Sequence, residues 1–213
     1  PALGSLAQTR VLVRSGALRD ECYAAAGRAR SGKFARLVAS MGAALSQRLA
    51  TAKANPGGVT SILSSTADTT WIGALQATLA GEHAAVYVFG LLAAQTSRSV
   101  QPRQWADLDA AYVWHRDARD ELVSRVTADA HTPVAASPSY RLPNDVGNSQ
   151  RVVRAALVTE QRVTDTYGTL VAETASGVRR WGIRSLDQSA VRQLRFQGRP
   201  EILPGTGLAG QLR

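Results

Sequence analysis

A carboxylate stands where a helix should be apolar. Between Leu75 and Ala93, a rotation of about 100° per residue sets Leu75, Leu79, Glu82, Val86, Phe89 and Ala93 on one narrow face. Apolar residues at that spacing predict a helix packed on a core. An ionised carboxylate buried there without a partner costs on the order of several kcal/mol, or is pushed to neutrality. The chain must therefore fold so that a cation, hydrogen-bond donors or a metal reach Glu82.

The same arithmetic repeats along the sequence. Leu108, Tyr112, His115, Arg119, Leu122 and Val126 share one face of a later helix, and Val153, Leu157, Glu160, Thr164, Tyr167 and Val171 share a face of the next. A fourth stripe runs through Ile183, Leu186, Ala190 and Leu194, with Asp187 at its edge. No useful stretch alternates with the two-residue period of a strand. These stripes predict an all-α chain whose last four helices form an antiparallel bundle.

Punctuation sets the boundaries. Two helices from about Leu3 to Ala54, parted near Ser31 and Gly32, make an amino-terminal hairpin over residues 1–55. Asn55, Pro56, Gly57 and Gly58 stop it and open a polar linker over 56–68. The bundle is expected over 69–198. Its second helix opens at Gln101 and Pro102, its third is capped by Asn148 or Ser149, and Ser176 with Gly177 precedes its fourth. Residues 199–213, with Pro200, Pro204, Gly205 and Gly207, read as an extended tail.

Glu82, His115 and Glu160 thus project inward from three consecutive helices. Ferritin-like di-metal sites use one Glu from each of two helices and a Glu-x-x-His pair from each of the other two. Glu82 and Glu160 suit the single-Glu positions and His115 the histidine of a pair. The run Gly81-Glu82-His83-Ala84-Ala85-Val86-Tyr87-Val88-Phe89-Gly90, the later His115-Arg116-Asp117-Ala118-Arg119-Asp120, and Phe196-Gln197-Gly198-Arg199-Pro200 through Pro204-Gly205 resemble an actinobacterial ferritin-like domain of unknown function, DUF4439. The resemblance spans roughly Thr69 to Gly205. It implies a ferritin-like four-helix bundle preceded by the hairpin, and no established activity.

The departures from a di-iron pattern are specific. Tyr112-Val113-Trp114-His115 replaces the glutamate of Glu-x-x-His by a phenol, and Asp187-Gln188-Ser189-Ala190 lacks the histidine. Two chemistries remain. A metal-free polar core of Glu82, Tyr112, His115, Arg119, Glu160 and Tyr167 is the preferred reading, because an arginine can pair with a carboxylate through two parallel hydrogen bonds. The alternative is an iron or manganese ion held by Glu82, His115, Glu160 and Asp187, with His83 as a weaker ligand candidate, in an oxidase or metal-binding protein. Without the metal no cofactor is expected, and the chain reads as a non-catalytic accessory or interaction protein.

Composition adds outer bounds. Hydrophobic residues at 45% and charged residues at 19% suit a globular chain. The formal charge of +9 invites an anionic partner, nucleic acid, anionic lipid or a larger assembly. Nearly all of it is arginine without a dense run, a bias that base composition also produces, so a protein partner or self-association is the first expectation. Cys22 is the only cysteine and reads as a small buried hydrophobe. Trp71, Trp105, Trp114 and Trp181 read as packing residues. No apolar run reaches the ~20 residues of a membrane span. The chain opens on Pro1, so a missing signal segment says nothing for the cytoplasm; the compartment stays open between the cytoplasm and an extracytoplasmic space reached after removal of a leader.

Overall fold

The computed structural model describes residues 2–52, 71–197 and 199–207. The expected linker over 56–68 lies outside them, as do residues 208–213. Among the described residues there are six helices and no strand: α1 Ala2–Arg28, α2 Gly32–Thr51, α3 Trp71–Gln95, α4 Pro102–Ala128, α5 Ser149–Glu173 and α6 Ser176–Gln197.

Local chemistry sets the helix ends. The Ser31 side chain accepts from the Phe34 amide and caps α2, and Asn148 accepts from the Arg151 amide at 3.0 Å and caps α5. Both satisfy amide groups that a helix start leaves unpaired. Pro102 opens α4, where its missing N–H costs nothing. Ser176 takes a left-handed φ of 49° and is the first residue of α6, so only Thr174 and Ala175 separate it from α5.

Helices α3 and α4 pack together, as do α3 and α5, and α5 and α6. The connection from α4 to α5 is long and follows α3. Gln76 clamps its start, donating to the Thr132 carbonyl at 2.7 Å and accepting from the Val134 amide at 2.8 Å. Tyr140 meets Tyr87 further along, with ring centroids 5.5 Å apart. The segment delivers Ser149 to Gln104, near the start of α4, where Ser149 Oγ donates to Gln104 Oε1 at 2.5 Å. Helices α4 and α5 therefore begin at the same end and run the same way, with α3 and α6 opposed to them.

The hairpin is built into the core. Helix α2 packs on both α5 and α6. The buried Gln47 amide donates to the Ala190 carbonyl of α6 at 2.6 Å and accepts from the Glu201 amide at 2.7 Å. Residues 199–207 are non-helical, with bends and turns over 202–207 in place of the extended run expected, and they are docked: Arg36 of α2 donates to the Gly205 carbonyl at 2.7 Å. A Cβ added at Gly168 of α5 would lie 1.9 Å from that same oxygen.

By length and composition α3 is the one described helix that could cross a membrane, but its Leu75, Leu79, Phe89 and Leu92 are fully buried in the protein core, consistent with the expectation of no membrane span. One expectation needs correction. On α4 the buried line is Leu108, Ala111, His115, Ala118, Leu122 and Val126. Tyr112 and Arg119 are rotated about 100° from Ala111 and Ala118 and lie only partly buried at the edge.

Close backbone approach at Gly168 leads to a paired expectation. Gly168→Ala should lower stability by about 1–3 kcal/mol, the range for overpacking. Gly73→Ala in α3, whose added Cβ meets nothing within 4 Å, should be neutral or stabilising by up to about 1 kcal/mol. Denaturant midpoints of the two variants check this; an unchanged midpoint for Gly168→Ala would show that residues 199–207 do not pack there.

Candidate functional site

Four helices bring ionisable groups to one level of the core. Glu82 from α3, His115 from α4 and Glu160 from α5 are all fully buried, and Arg192 from α6 is nearly so. His115 lies between the two carboxylates, with Nδ1 2.7 Å from Glu82 Oε2 and Nε2 3.2 Å from Glu160 Oε1. Arg192 grips Glu160 with both edges of its fork, Nε to Oε1 at 2.6 Å and an Nη to Oε2 at 3.3 Å. Ser189 donates to Glu160 Oε2 at 2.9 Å. The Tyr167 hydroxyl donates to Glu82 Oε1 at 2.5 Å. Every carboxylate oxygen thus has a donor.

Aromatic rings wall the cluster. Phe89 stacks on the His115 imidazole with centroids 5.0 Å apart and planes 16° from parallel, and Trp114 meets its edge at 5.1 Å. The Arg192 guanidinium sits 3.6 Å from the Trp114 ring centroid, a cation–π contact. Rings in place of water strengthen every electrostatic contact they enclose.

Burial alone would lower the His115 pKa, but Glu82 first and Glu160 next outweigh it and hold the ring above its ordinary value. Burial would raise Glu160, yet Arg192 and then His115 pull it down to about 2. Burial, then the Glu82 charge, raises the Tyr167 phenol well above its usual range. With His115 protonated, two cations meet two anions and the cluster is neutral.

The expected site residues divide. Glu82, His115, Glu160 and Tyr167 come together. Arg119 instead pairs with its neighbour Asp120 at 2.7 Å, and the Tyr112 ring lies against Gly90. His83 Nε2 is 3.1 Å from the Val134 carbonyl oxygen, away from the cluster. Asp187 belongs to a second polar contact, accepting from the Tyr23 hydroxyl of α1 at 2.5 Å, and burial holds its carboxyl above the usual range despite hydrogen bonds from Ser46 and Tyr23. Cys22 is buried, and burial followed by the nearby Glu21 charge raises its thiol. Sequence reasoning missed Arg192 and Ser189. Their signal was the i, i+4, i+7 line Ser185, Ser189, Arg192 of small polar residues ending in arginine.

As they are placed, these side chains are turned to one another. Among the described residues no group of three or more His, Cys, Asp or Glu side chains is arranged to hold one. Both His115 nitrogens point at carboxylates, and both Glu160 oxygens are occupied by Arg192. The lone pairs that a metal needs face hydrogen-bond donors instead of a shared point.

A sequence profile of a domain of unknown function, DUF4439, matches residues 74–207. The chain belongs to that family. The DUF4439 match begins after α1 and α2, so the hairpin lies outside it. The fold is similar to the crystal structure of a conserved hypothetical protein from Mycobacterium tuberculosis, with a TM-score of 0.56 and 25% identity over 61% of this chain and 89% of that one. No curated protein matches the chain.

The geometry separates two arginines that sequence alone would rank the other way. Arg192→Met should cost about 3–5 kcal/mol, since it leaves the buried cluster one cation short of its two carboxylates, while Arg119→Ala should stay within about 0.5 kcal/mol. Urea unfolding of the two variants checks the contrast, and equal losses would refute the pairing.

Stability should also depend on pH in a defined direction. The raised His115 value makes its contribution full below about pH 6.5, the unfolded-state histidine value, and lost as pH rises through the folded value. The depressed Glu160 makes its own contribution full above its ordinary value of 4.5 and lost as pH falls through about 2. Unfolding free energies from about pH 5 to about pH 9 should decline on the alkaline side and flatten in His115→Gln. An equal slope in that variant would mean that His115 is neutral in the folded state.

Proposed function

We propose that the protein is a non-catalytic, ferritin-like accessory or interaction module in which a metal position has become a closed ion-pair network. The ferritin-like reading is supported by the directions of α3 to α6, with one long crossover joining two helices that run the same way. It is also supported by the placement of Glu82, His115 and Glu160 at a common level on three of those helices.

The observation that carries the proposal is internal saturation. Each oxygen of Glu82 and Glu160 and both nitrogens of His115 already have a protein partner. Catalysis needs a group left free for a substrate or its reacting atoms, and this cluster leaves none. A tyrosine at 112 and an alanine at 190, where a di-iron site would place Glu and His, support the same reading. For iron or manganese to bind, His115 would have to turn from both carboxylates and Arg192 would have to release Glu160.

Protein purified without chelator after growth with added iron and manganese should carry far less than stoichiometric metal, and it should consume neither dioxygen nor peroxide when Fe(II) is supplied. Stoichiometric iron or manganese that disappears in Glu82→Gln would overturn the reading.

A further inference from the structure

Helix α2 buries only part of its circumference. Ala35, Ala39 and Ala43 face the protein, whereas Phe34, Leu37 and Met41 are 54%, 44% and 46% exposed. Separated by three and four residues, the exposed three align on one side of the helix. Exposed apolar residues aligned on one element and rimmed by polar ones are a surface that a partner or a membrane can cover.

Charge says what would cover it. The charged residues of α2 are Lys33, Arg36 and Arg48, all cationic. Lys33 is exposed beside Phe34, Arg48 is exposed on the same line two turns beyond Met41, and Arg30 is exposed just before the helix cap. Residues 1–52 hold eight Lys and Arg against two Asp and Glu, a surplus of six within the chain's +9.

We infer that this face of α2 docks the protein on an anionic lipid surface, with Phe34, Leu37 and Met41 entering the boundary between headgroups and acyl chains and Arg30, Lys33 and Arg48 meeting lipid phosphates. Apolar residues flanked by cations are the pattern of a helix lying in that boundary. A second copy of the chain suits the face less well, because it would set one cationic α2 against another. Nucleic acid would satisfy the cations but leave Phe34, Leu37 and Met41 without an apolar partner. The inference rests on the reading of the chain as an interaction module and supplies its partner. Metal content of the buried cluster tests that reading and vesicle binding tests this one, so either can fail alone.

The experiment is flotation of the full chain with phosphatidylcholine vesicles, with and without phosphatidylglycerol. Binding should require phosphatidylglycerol and weaken with salt. Leu37→Glu should reduce it roughly tenfold or more, by loss of one buried apolar side chain, and Lys33→Glu with Arg48→Glu should reduce it at least as much. Both sets of substitutions are at exposed positions, and circular dichroism checks that the fold persists; Leu37→Ser replaces Leu37→Glu, and Lys33→Gln with Arg48→Gln replaces the double glutamate variant, if either fails this check. Absence of binding to phosphatidylglycerol vesicles at low ionic strength would overturn the inference, as would wild-type binding by Leu37→Glu. A dimer dispersed by Leu37→Glu without vesicle binding, or capture of duplex DNA alone, would assign the face to another partner and overturn it too.

Discussion

Glu160 holds the core to a single arrangement. It is fully buried and answers to α4 through His115 and to α6 through Arg192 and Ser189, while His115 carries the connection on to Glu82 of α3. Apolar stripes tolerate sliding, because one leucine replaces another along a groove. A charge cluster does not. A slip of one helical turn, about 5.4 Å, would part Arg192 from Glu160 and strand both in a medium where an unpaired charge is costly. The ring shell of Phe89 and Trp114 sharpens that penalty by keeping water out. The network thus adds little net stability over an apolar core of the same shape while excluding neighbouring registers.

Much of this was legible in the sequence, for a physical reason. A glutamate in an apolar stripe is a rare and expensive arrangement, so Glu82 and Glu160 announce themselves, and Tyr167 follows two stripe steps from Glu160. The errors lie where helical periodicity is ambiguous. On α4 the steps to i+3 and i+4 offered Ala111 or Tyr112, and Ala118 or Arg119. The larger residue drew the inference inward, whereas close packing admitted the alanine. Arg192 escaped because arginine is abundant in this chain and most copies face solvent. Its identity depends on Trp114 and Glu160, contacts made by two other helices that no local pattern contains. Asp187 was assigned to the right helix edge but the wrong neighbour, since nothing near it in sequence points to Tyr23.

The amino-terminal hairpin is held by a separate set of contacts. It lies outside the DUF4439 match, yet Tyr23 reaches Asp187 and Gln47 reaches Ala190. The Arg179 guanidinium also donates to the Ala29 carbonyl between α1 and α2. Polar contacts of this kind weld α1 and α2 to α6 without changing the cluster at Glu160. An element can in this way be joined to the core on one face and keep the opposite face for other work.

The docked segment at Gly205 has a consequence for how the chain is made. Gly205 sits on Gly168 and binds Arg36, while Glu201 binds Gln47, so a segment after α6 completes the packing of α2, whose Gln47 and Arg36 stand 154 and 169 residues upstream of the residues they meet. During synthesis α1 and α2 emerge well before α5, α6 and the segment after them, and wait for these to leave the ribosome before their inner faces are covered. Such sequence-distant closure raises the entropic cost of the folding transition and slows it. A growing chain therefore leaves the alanine-rich inner face of α2 uncovered until those later segments arrive, and its dependence on helpers during translation would be greatest there.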